Sequence, residues 1–402
     1  MQKFKTSPKR DALSWAKILN WKEIKMKVVI AAAGTGGHIN PGIAIANKIM
    51  EKEPNSEIIF IGTNRGLETD LVPRAGYKLE CINSYGISRK INLDNIKRLL
   101  KTIKSISEAK KILKEFKPDI VIGTGGYICV SVGIAAKKLK IPIILHESNA
   151  FPGVAVKLLS KDANKILVGF KEAEERLPKA KKVVVTGNPT KIKRTYISID
   201  EKKNKISELG LNPELATVLV FGGSQGATSI NNALIGIIEN KINENYQIIW
   251  AAGTNNYENV KKQLKDKQID INNIKNIKIL PYIYNMQEIM QVSDLVVCRS
   301  GAMTITEVAL LGKPAIFIPF PFATENHQEY NAKVLQNIGS AQIILDRDLT
   351  YKILNNEINN MIQDRQKLTR MGEKAMSVAK ENVEEKIYEE IKMSINVESC
   401  KN

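Results

Sequence analysis

The sequence has few cysteines, few histidines and few aromatic residues, and it contains no long apolar run. The four cysteines lie far apart, at Cys81, Cys129, Cys298 and Cys400. Without a CxxC pair or a cysteine cluster, neither a disulfide framework nor a zinc site is indicated, and we expect reduced thiols in a cytosolic compartment. No apolar run approaches the ~18 residues that span a bilayer, and the N-terminus lacks the apolar core of a signal peptide.

The charge of the chain is strongly unbalanced. There are 60 lysines and arginines against 42 aspartates and glutamates, so the net charge is +18 and the pI is about 9.5. Such a balance favours an anionic partner: a nucleic acid, an acidic lipid surface or a phosphorylated substrate. Aromatic residues make up only 6% of the chain and do not interleave with a basic stretch, which argues against nucleic acid.

The 402 residues predict two globular domains of the α/β class. Apolar runs alternate with helical patterns, which predicts parallel sheets covered by helices on both faces. We therefore expect two Rossmann-like, doubly wound domains that face each other across a cleft. The expected strands are 27–33, 57–61, 119–122, 142–145, 165–168, 183–185, 217–221, 246–250, 277–280, 294–297, 314–318 and 341–345, and the clearest helical patterns are 41–52, 92–116, 128–139 and 152–160.

The sequence also indicates where these domains begin and end. We expect an extension over 1–25, a first domain over 26–189, a second over 190–380, and a helix in 381–402 that returns to the first domain. The extension is basic and contains Trp15 and Trp21. It is expected to be disordered or to reflect a start codon assigned too early; an amphipathic interfacial helix is the alternative.

Each expected domain contains a strand that leads into a glycine-rich loop and then a helical pattern. The first is Val28–His38, VVIAAAGTGGH, with the helix expected after Pro41; the second is Val218–Ala227, VLVFGGSQGA. Glycines let the backbone approach a ligand closely, and a helix N-terminus offers unpaired N–H groups to an anion. Neither loop matches GxGxxG and no acidic residue follows at the dinucleotide spacing, which argues against a nicotinamide enzyme.

Further polar residues follow other expected strands in the first half. A third glycine loop, IGTGGY, spans 122–127, and the segment LHESN ends at Asn149. Asn149 is expected either to bond a sugar hydroxyl or to serve as a helix cap or turn residue. The three histidines, His38, His146 and His327, all follow apolar runs, but their spacing is not that of metal ligands.

The second half adds two polar segments. In Cys298–Glu307, CRSGAMTITE, the turn would direct the backbone N–H groups of 302–304 into the cleft. Glu307 could then accept from both ribose hydroxyls, or it could simply complement the helix dipole. Pro319–Asn331, PFPFATENHQEYN, gathers the hydrogen-bonding side chains Asn326, His327 and Gln328. The D-x-D pair at 346–348 precedes a helical pattern, so we expect helix capping there rather than a metal.

Seven of these segments occur in an order that resembles one known family. GTGGH, GTGGY, HESN, GNP, GGSQGA, CRSGAMTITE and NHQEYNA together are similar to the N-acetylglucosaminyl transferases of peptidoglycan synthesis, the MurG family. The resemblance runs from about Met26 to the last helices. It implies a GT-B fold and transfer of N-acetylglucosamine from UDP-N-acetylglucosamine to the muramyl C4 hydroxyl of a polyprenyl-diphosphate lipid acceptor, lipid I, which gives lipid II. It also implies a peripheral position on the cytoplasmic face of the cell membrane, and neither cofactor nor metal.

The resemblance implies roles for individual residues. His38 is similar to the histidine proposed as catalytic base, and Glu307 to a glutamate on the ribose. Lys191 stands where many members carry arginine after GNP; it keeps the charge but lacks the two-pronged guanidinium. The other residues that the resemblance places at the donor are Thr35, Gly36, Gly37, Asn149, Ser224, Ile283 on the uracil side, Ala302, Met303, Thr304 and Gln328.

The residues by themselves leave other activities open. A UDP-N-acetylglucosamine epimerase would share the architecture and the donor but would need carboxylates for proton transfer and no lipid. A transferase acting on another lipid, such as diacylglycerol, would differ in the first domain. A UDP-sugar or lipid-binding module without activity is the third alternative. For the lipid-directed enzyme, we expect an anionic membrane surface to contact the first domain near Ser84–Lys104, where apolar and basic residues lie together.

Overall fold

The structure is a computed structural model that describes residues 25–84, 93–223, 226–274 and 276–399. The first domain is built on a sheet of seven parallel strands in the order β3-β2-β1-β4-β5-β6-β7. The strands are β1 Lys27–Ala32, β2 Glu57–Gly62, β3 Lys78–Cys81, β4 Ile120–Gly125, β5 Ile143–Glu147, β6 Lys165–Val168 and β7 Val183–Val185. The strand order reverses between β1 and β4, which is where open α/β sheets bind ligands.

Helices cover both faces of this first sheet. Apolar side chains on β1 alternate between two buried layers: Val29 belongs to one and Ile30 to the other. Burial on both faces explains why the strands are continuous apolar runs rather than alternating patterns. The helices are α1 Gly36–Lys52, α2 Glu68–Arg74, α3 Leu93–Phe116, α4 Ile128–Lys138 and α5 Val154–Leu159, with a 3-10 helix at Lys171–Arg176.

The second domain repeats this architecture with six parallel strands in the order β10-β9-β8-β11-β12-β13. The strands are β8 Ala216–Phe221, β9 Tyr246–Ala251, β10 Ile277–Leu280, β11 Leu295–Cys298, β12 Ala315–Phe317 and β13 Ala341–Ile343. The helices are α6 Ile199–Glu208, α7 Thr228–Glu239, α8 Tyr257–Asp266, α9 Met286–Val292, α10 Ala302–Leu310, α11 His327–Asn337, α12 Tyr351–Ile362 and α13 Arg365–Val378, with 3-10 helices at Ile271–Asn273, Thr324–Asn326 and Asp346–Asp348. The two sheets confirm the predicted pair of Rossmann-like, doubly wound domains.

The last helix, α14 Val383–Ser399, packs on the first domain. Val383, Ile387 and Ile391 share a buried core with residues of α1. The Lys165 ammonium lies 2.6 Å from Oε2 of Glu390, and both side chains are largely shielded from solvent. The C-terminal segment therefore holds the second domain to the first through apolar packing and a partly buried ion pair.

Two local features differ from the sequence-based prediction. Helix α1 begins at Gly36 rather than after Pro41, so Pro41 lies inside it. The ring removes only the bond to the Gly37 carbonyl, and the neighbouring His38 carbonyl accepts from Thr124 Oγ1 at 2.8 Å. Strand β3 was not predicted, because it is a short edge strand in which lysine and glutamate alternate with Leu79 and Cys81.

Candidate active site

His38 lies in the first turn of α1, directly after the glycine loop that follows β1. Its imidazole packs against the loop that follows β4: a Cβ atom on Gly125 would lie only 2.3 Å from Cδ2 of His38. Gly125 also has a φ of +128°, which side chains rarely adopt. The second glycine loop of the first domain therefore makes the space that the histidine ring occupies.

The hydrogen bond of His38 determines which of its nitrogens can act as a base. Nδ1 lies 3.2 Å from the Ala33 carbonyl oxygen, which can only accept, so Nδ1 carries the proton in the neutral ring. Nε2 is then left with its lone pair. Burial lowers the pKa of His38, and the bond to Ala33 opposes this only in part. The ring is thus neutral near pH 7 and can accept a proton at Nε2.

Glu68, which the sequence patterns did not single out, holds the loop before His38. Its Oε2 accepts from the Gly34 amide at 3.0 Å, and its Oε1 accepts from the Thr63 amide and hydroxyl at 3.0 and 2.6 Å. Burial acts to raise the pKa of Glu68, but the bonds from Thr63 and Gly34 outweigh it and hold the pKa below its usual range. A buried, ionised carboxylate therefore fixes the path of the first glycine loop.

Three more of the residues expected at the donor lie at the start of α1. Thr35 is the exposed N-cap and makes no side-chain capping bond. Gly36 and Gly37 follow, and their N–H groups have no acceptor within the helix. This turn can present backbone donors to an anion beside the His38 ring.

In the second domain, helix α10 begins after an extended N-cap, Gly301, that has no side chain to cap it. The amides of Ala302, Met303 and Thr304 occupy the first turn, where no intrahelical acceptor exists, whereas the Ile305 amide bonds the Gly301 carbonyl. These three N–H groups form the second backbone cradle.

Gln328 ties the loop after β11 to the loop after β12. Its Oε1 accepts from the Ser300 amide at 3.2 Å and from the Phe320 amide at 2.9 Å. Its main-chain oxygen accepts from Ser300 Oγ at 2.8 Å. The side-chain oxygen is thereby engaged, and the Nε2 hydrogens, which have no partner among the described residues, are the groups that can reach a ligand.

Glu307 lies on α10 and faces the segment that joins the domains. Thr190, just after the GNP motif, donates its hydroxyl to Oε1 of Glu307 at 3.2 Å. Burial raises the pKa of Glu307 to about 7, against the opposing effect of the Thr190 bond. A carboxylate of this kind titrates near neutral pH and keeps acceptor capacity for hydroxyl groups.

Asn149 forms a turn at the end of β5. Its amide and its Nδ2 both donate to Oε1 of Glu147, at 2.9 and 3.0 Å. Glu147 also accepts from the Gly153 amide at 2.8 Å, and burial raises its pKa despite these bonds. The Oδ1 of Asn149 accepts from Asn331 in the second domain at 3.1 Å.

Contacts between the domains bring the two halves of the site together. Besides Asn149–Asn331 and Thr190–Glu307, Nδ2 of Asn188 donates to Oγ1 of Thr306 at 3.0 Å. Asn149 follows β5, Asn188 and Thr190 follow β7, and their partners follow β11 and β12. The carboxyl edges of the two sheets therefore face each other, and the expected cleft lies between them.

For three of the residues expected at the donor, the structure shows no side-chain contact that supports this role among the described residues. The Ile283 side chain is only 5% exposed and packs in the core, so its backbone alone can face a ligand. Lys191 is exposed, directly after Thr190. Ser224 lies outside the described residues.

The other two histidines have different surroundings from His38. His146 is fully buried, with Nε2 3.4 Å from the Gly187 carbonyl and Nδ1 3.4 Å from Ser148 Oγ. Burial lowers its pKa to about 4, so it is a neutral structural residue. His327 begins α11, and its Nδ1 lies 2.6 Å from the Thr324 carbonyl.

The expectation that the aspartates of 346–348 cap a helix is wrong. Asp346 Oδ1 accepts from Arg299 at 2.5 Å and from Ser229 Oγ at 2.6 Å, and helix α12 is capped by Thr350 instead. The ion pair joins the exits of β11 and β13, a tertiary contact that local sequence does not indicate. Among the described residues, no group of three His, Cys, Asp or Glu side chains could hold a metal ion.

Comparison with known proteins identifies the family. Residues 28–168 match the glycosyltransferase family 28 N-terminal domain, and residues 217–389 match the glycosyltransferase family 28 C-terminal domain. A relative from Acetivibrio thermocellus, the UDP-N-acetylglucosamine–N-acetylmuramyl-(pentapeptide) pyrophosphoryl-undecaprenol N-acetylglucosamine transferase, is 43% identical over 368 residues, covering 91% of this chain and 98% of that one. The chain belongs to glycosyltransferase family 28.

A further relative and two solved structures are consistent with this family and with the observed fold. The protein of the same name from Clostridioides difficile is 41% identical over 368 residues, 91% of this chain and 88% of its own. The crystal structure of Acinetobacter baumannii MurG superposes with a TM-score of 0.75 at 28% identity, covering 92% of this chain and 99% of that chain. The UDP-GlcNAc 2-epimerase from Neisseria meningitidis, bound to UDP-GlcNAc, has a TM-score of 0.59 at 16% identity over 90% of this chain and 99% of its own, and so shares the fold alone. These findings confirm the GT-B fold and the predicted family resemblance.

Proposed function

We propose that this glycosyltransferase moves N-acetylglucosamine from UDP-N-acetylglucosamine to the muramyl C4 hydroxyl of a polyprenyl-diphosphate-linked muramyl-pentapeptide, the step of peptidoglycan synthesis that converts lipid I to lipid II. The observation that carries the proposal is the 43% identity, over nearly the whole of both chains, to a transferase whose name states this reaction. The facing carboxyl edges of the two sheets supply a cleft in which a nucleotide sugar and an acceptor can meet.

In this proposal the second domain holds the donor nucleotide. The cradle of 302–304 holds the uridine diphosphate through its amides, Glu307 accepts from the ribose hydroxyls, and the backbone at Ile283 lies on the uracil side. Gln328 and Asn149 contact the sugar from opposite domains. The remaining donor contacts that we propose are Thr35, Gly36, Gly37, Lys191 and Ser224.

His38 is the proposed general base. The acceptor C4 hydroxyl gives its proton to Nε2 while its oxygen attacks the anomeric carbon. The bond from that carbon to the diphosphate oxygen breaks, and UDP leaves with the electron pair. Attack from the face opposite the leaving group inverts the α donor to a β product. A general base whose pKa lies near the working pH accelerates such a step roughly 10²–10⁴-fold.

Departure of UDP places negative charge on the diphosphate. The N–H groups in the first turns of α1 and α10 are oriented before the reaction, and each such donor contributes about 3–4 kcal/mol where it meets developing charge. The N-terminal ends of both helices add their positive dipole ends.

We also propose that the enzyme acts at the cytoplasmic surface of the cell membrane, because its acceptor carries a polyprenyl chain. None of the helices in the described ranges is long and apolar enough to cross a membrane. A net charge of +18 supports contact with an anionic lipid surface. Most of the expected contact region, Ser84–Lys104, lies outside the residues whose side chains are described. Binding to anionic vesicles should weaken as salt is raised; binding that ignores salt would contradict the proposal.

One assay tests the function against its alternatives. Purified protein is incubated with radiolabelled UDP-N-acetylglucosamine and a lipid-linked muramyl-pentapeptide, and label is counted in the lipid phase. We expect label in that phase only when the muramyl lipid is present. Conversion of the donor without any acceptor would indicate an epimerase, label on diacylglycerol would indicate another lipid transferase, and neither result would indicate a binding module.

A further inference from the structure

Asn331 is a fully buried polar side chain on the interface between the two domains. It lies on α11 of the second domain and is 0% exposed. Its Nδ2 donates to Oδ1 of Asn149 at 3.1 Å and to the Ser300 carbonyl at 3.3 Å, and its Oδ1 accepts from the Ala150 amide at 2.8 Å. Both hydrogens and the oxygen are thus engaged, two of these bonds crossing to the first domain.

The surroundings of Asn331 leave its amide only one orientation. Next to it, Phe151 and Tyr330 stack across the interface with ring centroids 4.5 Å apart, and the Lys157 ammonium lies 3.8 Å from the Phe151 centroid. A flipped amide would set N–H against N–H at Ala150 and oxygen against oxygen at its other partners. Buried polar groups left unpaired in this way are costly.

This orientation determines what Asn149 can offer to a ligand. Oδ1 of Asn149 receives the Asn331 hydrogen, and one Nδ2 hydrogen goes to Glu147. The second Nδ2 hydrogen has no partner among the described residues. Asn149, which is half-buried at the end of β5, therefore keeps one N–H hydrogen for the cleft, while its Oδ1 is held by Asn331.

The same side chain connects to the sugar contact of the second domain. The Ser300 carbonyl accepts from Asn331, while the amide and hydroxyl of Ser300 both bond Gln328. A single buried amide thus links Asn149 in one domain to Gln328 in the other.

We propose that Asn331 is a positioning residue: it holds Asn149 as a hydrogen-bond donor to an oxygen of the donor sugar, a hydroxyl or the acetamido carbonyl, at a set distance from Gln328. The inference rests on the proposed function, in which these two residues contact the sugar. It assigns Asn331 to recognition of the sugar and not of the nucleotide.

Comparing two ligands separates this role from a general loss of structure. Titration calorimetry with UDP and with UDP-N-acetylglucosamine gives the affinity ratio that the sugar contributes. We expect Asn331→Ala to weaken binding of the nucleotide sugar about tenfold, the effect of losing a single oriented hydrogen bond, and to leave UDP binding unchanged. An equal loss for both ligands would overturn the proposal and make Asn331 a structural residue only.

Two control variants disturb the molecule without touching Asn149. Asn355→Ala removes a buried amide whose Oδ1 accepts from Tyr246 at 2.7 Å within the second domain. Tyr330→Ala removes the aromatic stack at the interface. Both are expected to lower the melting temperature and keep the ratio of the two affinities. A changed ratio in Tyr330→Ala would show that any loosening of the interface suffices, and it would contradict a specific role for Asn331.

A second variant covers the case in which Asn331→Ala does not fold. Asn149→Ala removes a half-buried side chain together with its N–H donor and sets no carboxylate oxygen against Oε1 of Glu147. We expect it to lose the sugar contribution to binding; retained contribution would mean that Asn149 does not act as a donor. The double variant Asn149→Ala/Asn331→Ala should be no weaker than Asn149→Ala alone, since the two residues act as one unit. If the wild-type protein fails the transfer assay but keeps its preference for the nucleotide sugar over UDP, the proposed function falls and this inference stands.

Discussion

Each domain contributes one strand–turn–helix unit to the candidate site, and the two units offer different groups to a ligand. Each has a parallel strand, a turn at a glycine and a helix whose first amides are unpaired. In the first domain the Gly34 amide is already taken by Glu68, and the helix presents the His38 side chain beside the amides of Gly36 and Gly37. In the second domain the side chain before the turn, Arg299, is directed onto Asp346, and the helix presents its backbone.

We call the unit at α1 the first opening and the unit at α10 the second opening. Their difference suits them to different roles in the proposed reaction. A backbone cradle suits a ligand whose charge is large and diffuse, such as a diphosphate. A proton must be taken at one atom, and that requires a side chain with a matched pKa and a fixed orientation. The first opening is held by the buried Glu68 carboxylate. The second is held by the Arg299–Asp346 ion pair and by the hydrogen bonds of Gln328.

The largest expected effect tests the role of the first opening. His38→Ala removes the proposed base, so we expect kcat to fall roughly 10²–10⁴-fold. UDP-N-acetylglucosamine binding should persist, because we propose that the second domain holds the nucleotide. The measurement is turnover in the label-transfer assay beside calorimetric titration of the donor. Unchanged turnover would remove His38 from the role of base and break the comparison.

The next effect tests the second opening. Glu307→Ala removes the proposed acceptor for the ribose hydroxyls, and we expect the donor KM to rise roughly tenfold to a hundredfold with a smaller change in kcat. Steady-state kinetics at saturating acceptor gives both constants. Glu239→Gln, which alters an exposed ion pair with Lys267, serves as a control that should change neither. An unaltered donor KM in Glu307→Ala would count against the ribose contact.

A smaller effect should follow from loosening the first loop. In Glu68→Gln, the side-chain NH₂ group would face an amide of Gly34 or Thr63, donor against donor. We expect kcat to fall about tenfold and the free energy of unfolding to drop by about 1–3 kcal/mol, the cost of an unsatisfied buried donor. Kinetics and urea denaturation measure the two. A loss of donor affinity with no loss of kcat would mean that Glu68 supports the donor contacts of this loop and not His38.

The smallest expected effect is in the pH dependence, which should differ between the donor KM and kcat. Burial raises the pKa of Glu307 to about 7, so the carboxylate form, which we propose accepts from ribose, is present above that pH and is lost below it. The donor KM of the wild type should therefore rise a few-fold as pH falls from 8 to 6, and the KM of Glu307→Gln should not. Burial lowers the pKa of His38, so the acid limb of kcat should lie below the usual histidine range. A donor KM independent of pH in the wild type would contradict the assignment of Glu307.

The same contrast shows how far sequence reasoning reaches. Strands such as β1 and β8 are predictable, because burial on both faces demands a nearly continuous apolar run. That His38 and Glu307 follow strands and glycine turns is predictable, because apolar runs and turn glycines have local signatures. Glu68 is not, because its carboxylate holds an amide 34 positions away in the sequence. Asn331 is harder still, since its partner Asn149 is 182 positions away, in the other domain.

The amino-acid order alone therefore determined the α/β alternation, the glycine-rich turns and the chemical types of the residues that follow the strands. These depend on side-chain periodicity and backbone freedom, which are properties of neighbours in the chain. Only the tertiary structure decided which nitrogen of His38 is free, which amides Glu68 and Gln328 occupy, and that Asp346 pairs with Arg299 instead of capping a helix. Those outcomes depend on the distances between groups far apart in the chain, and such distances exist only once both sheets have folded and docked.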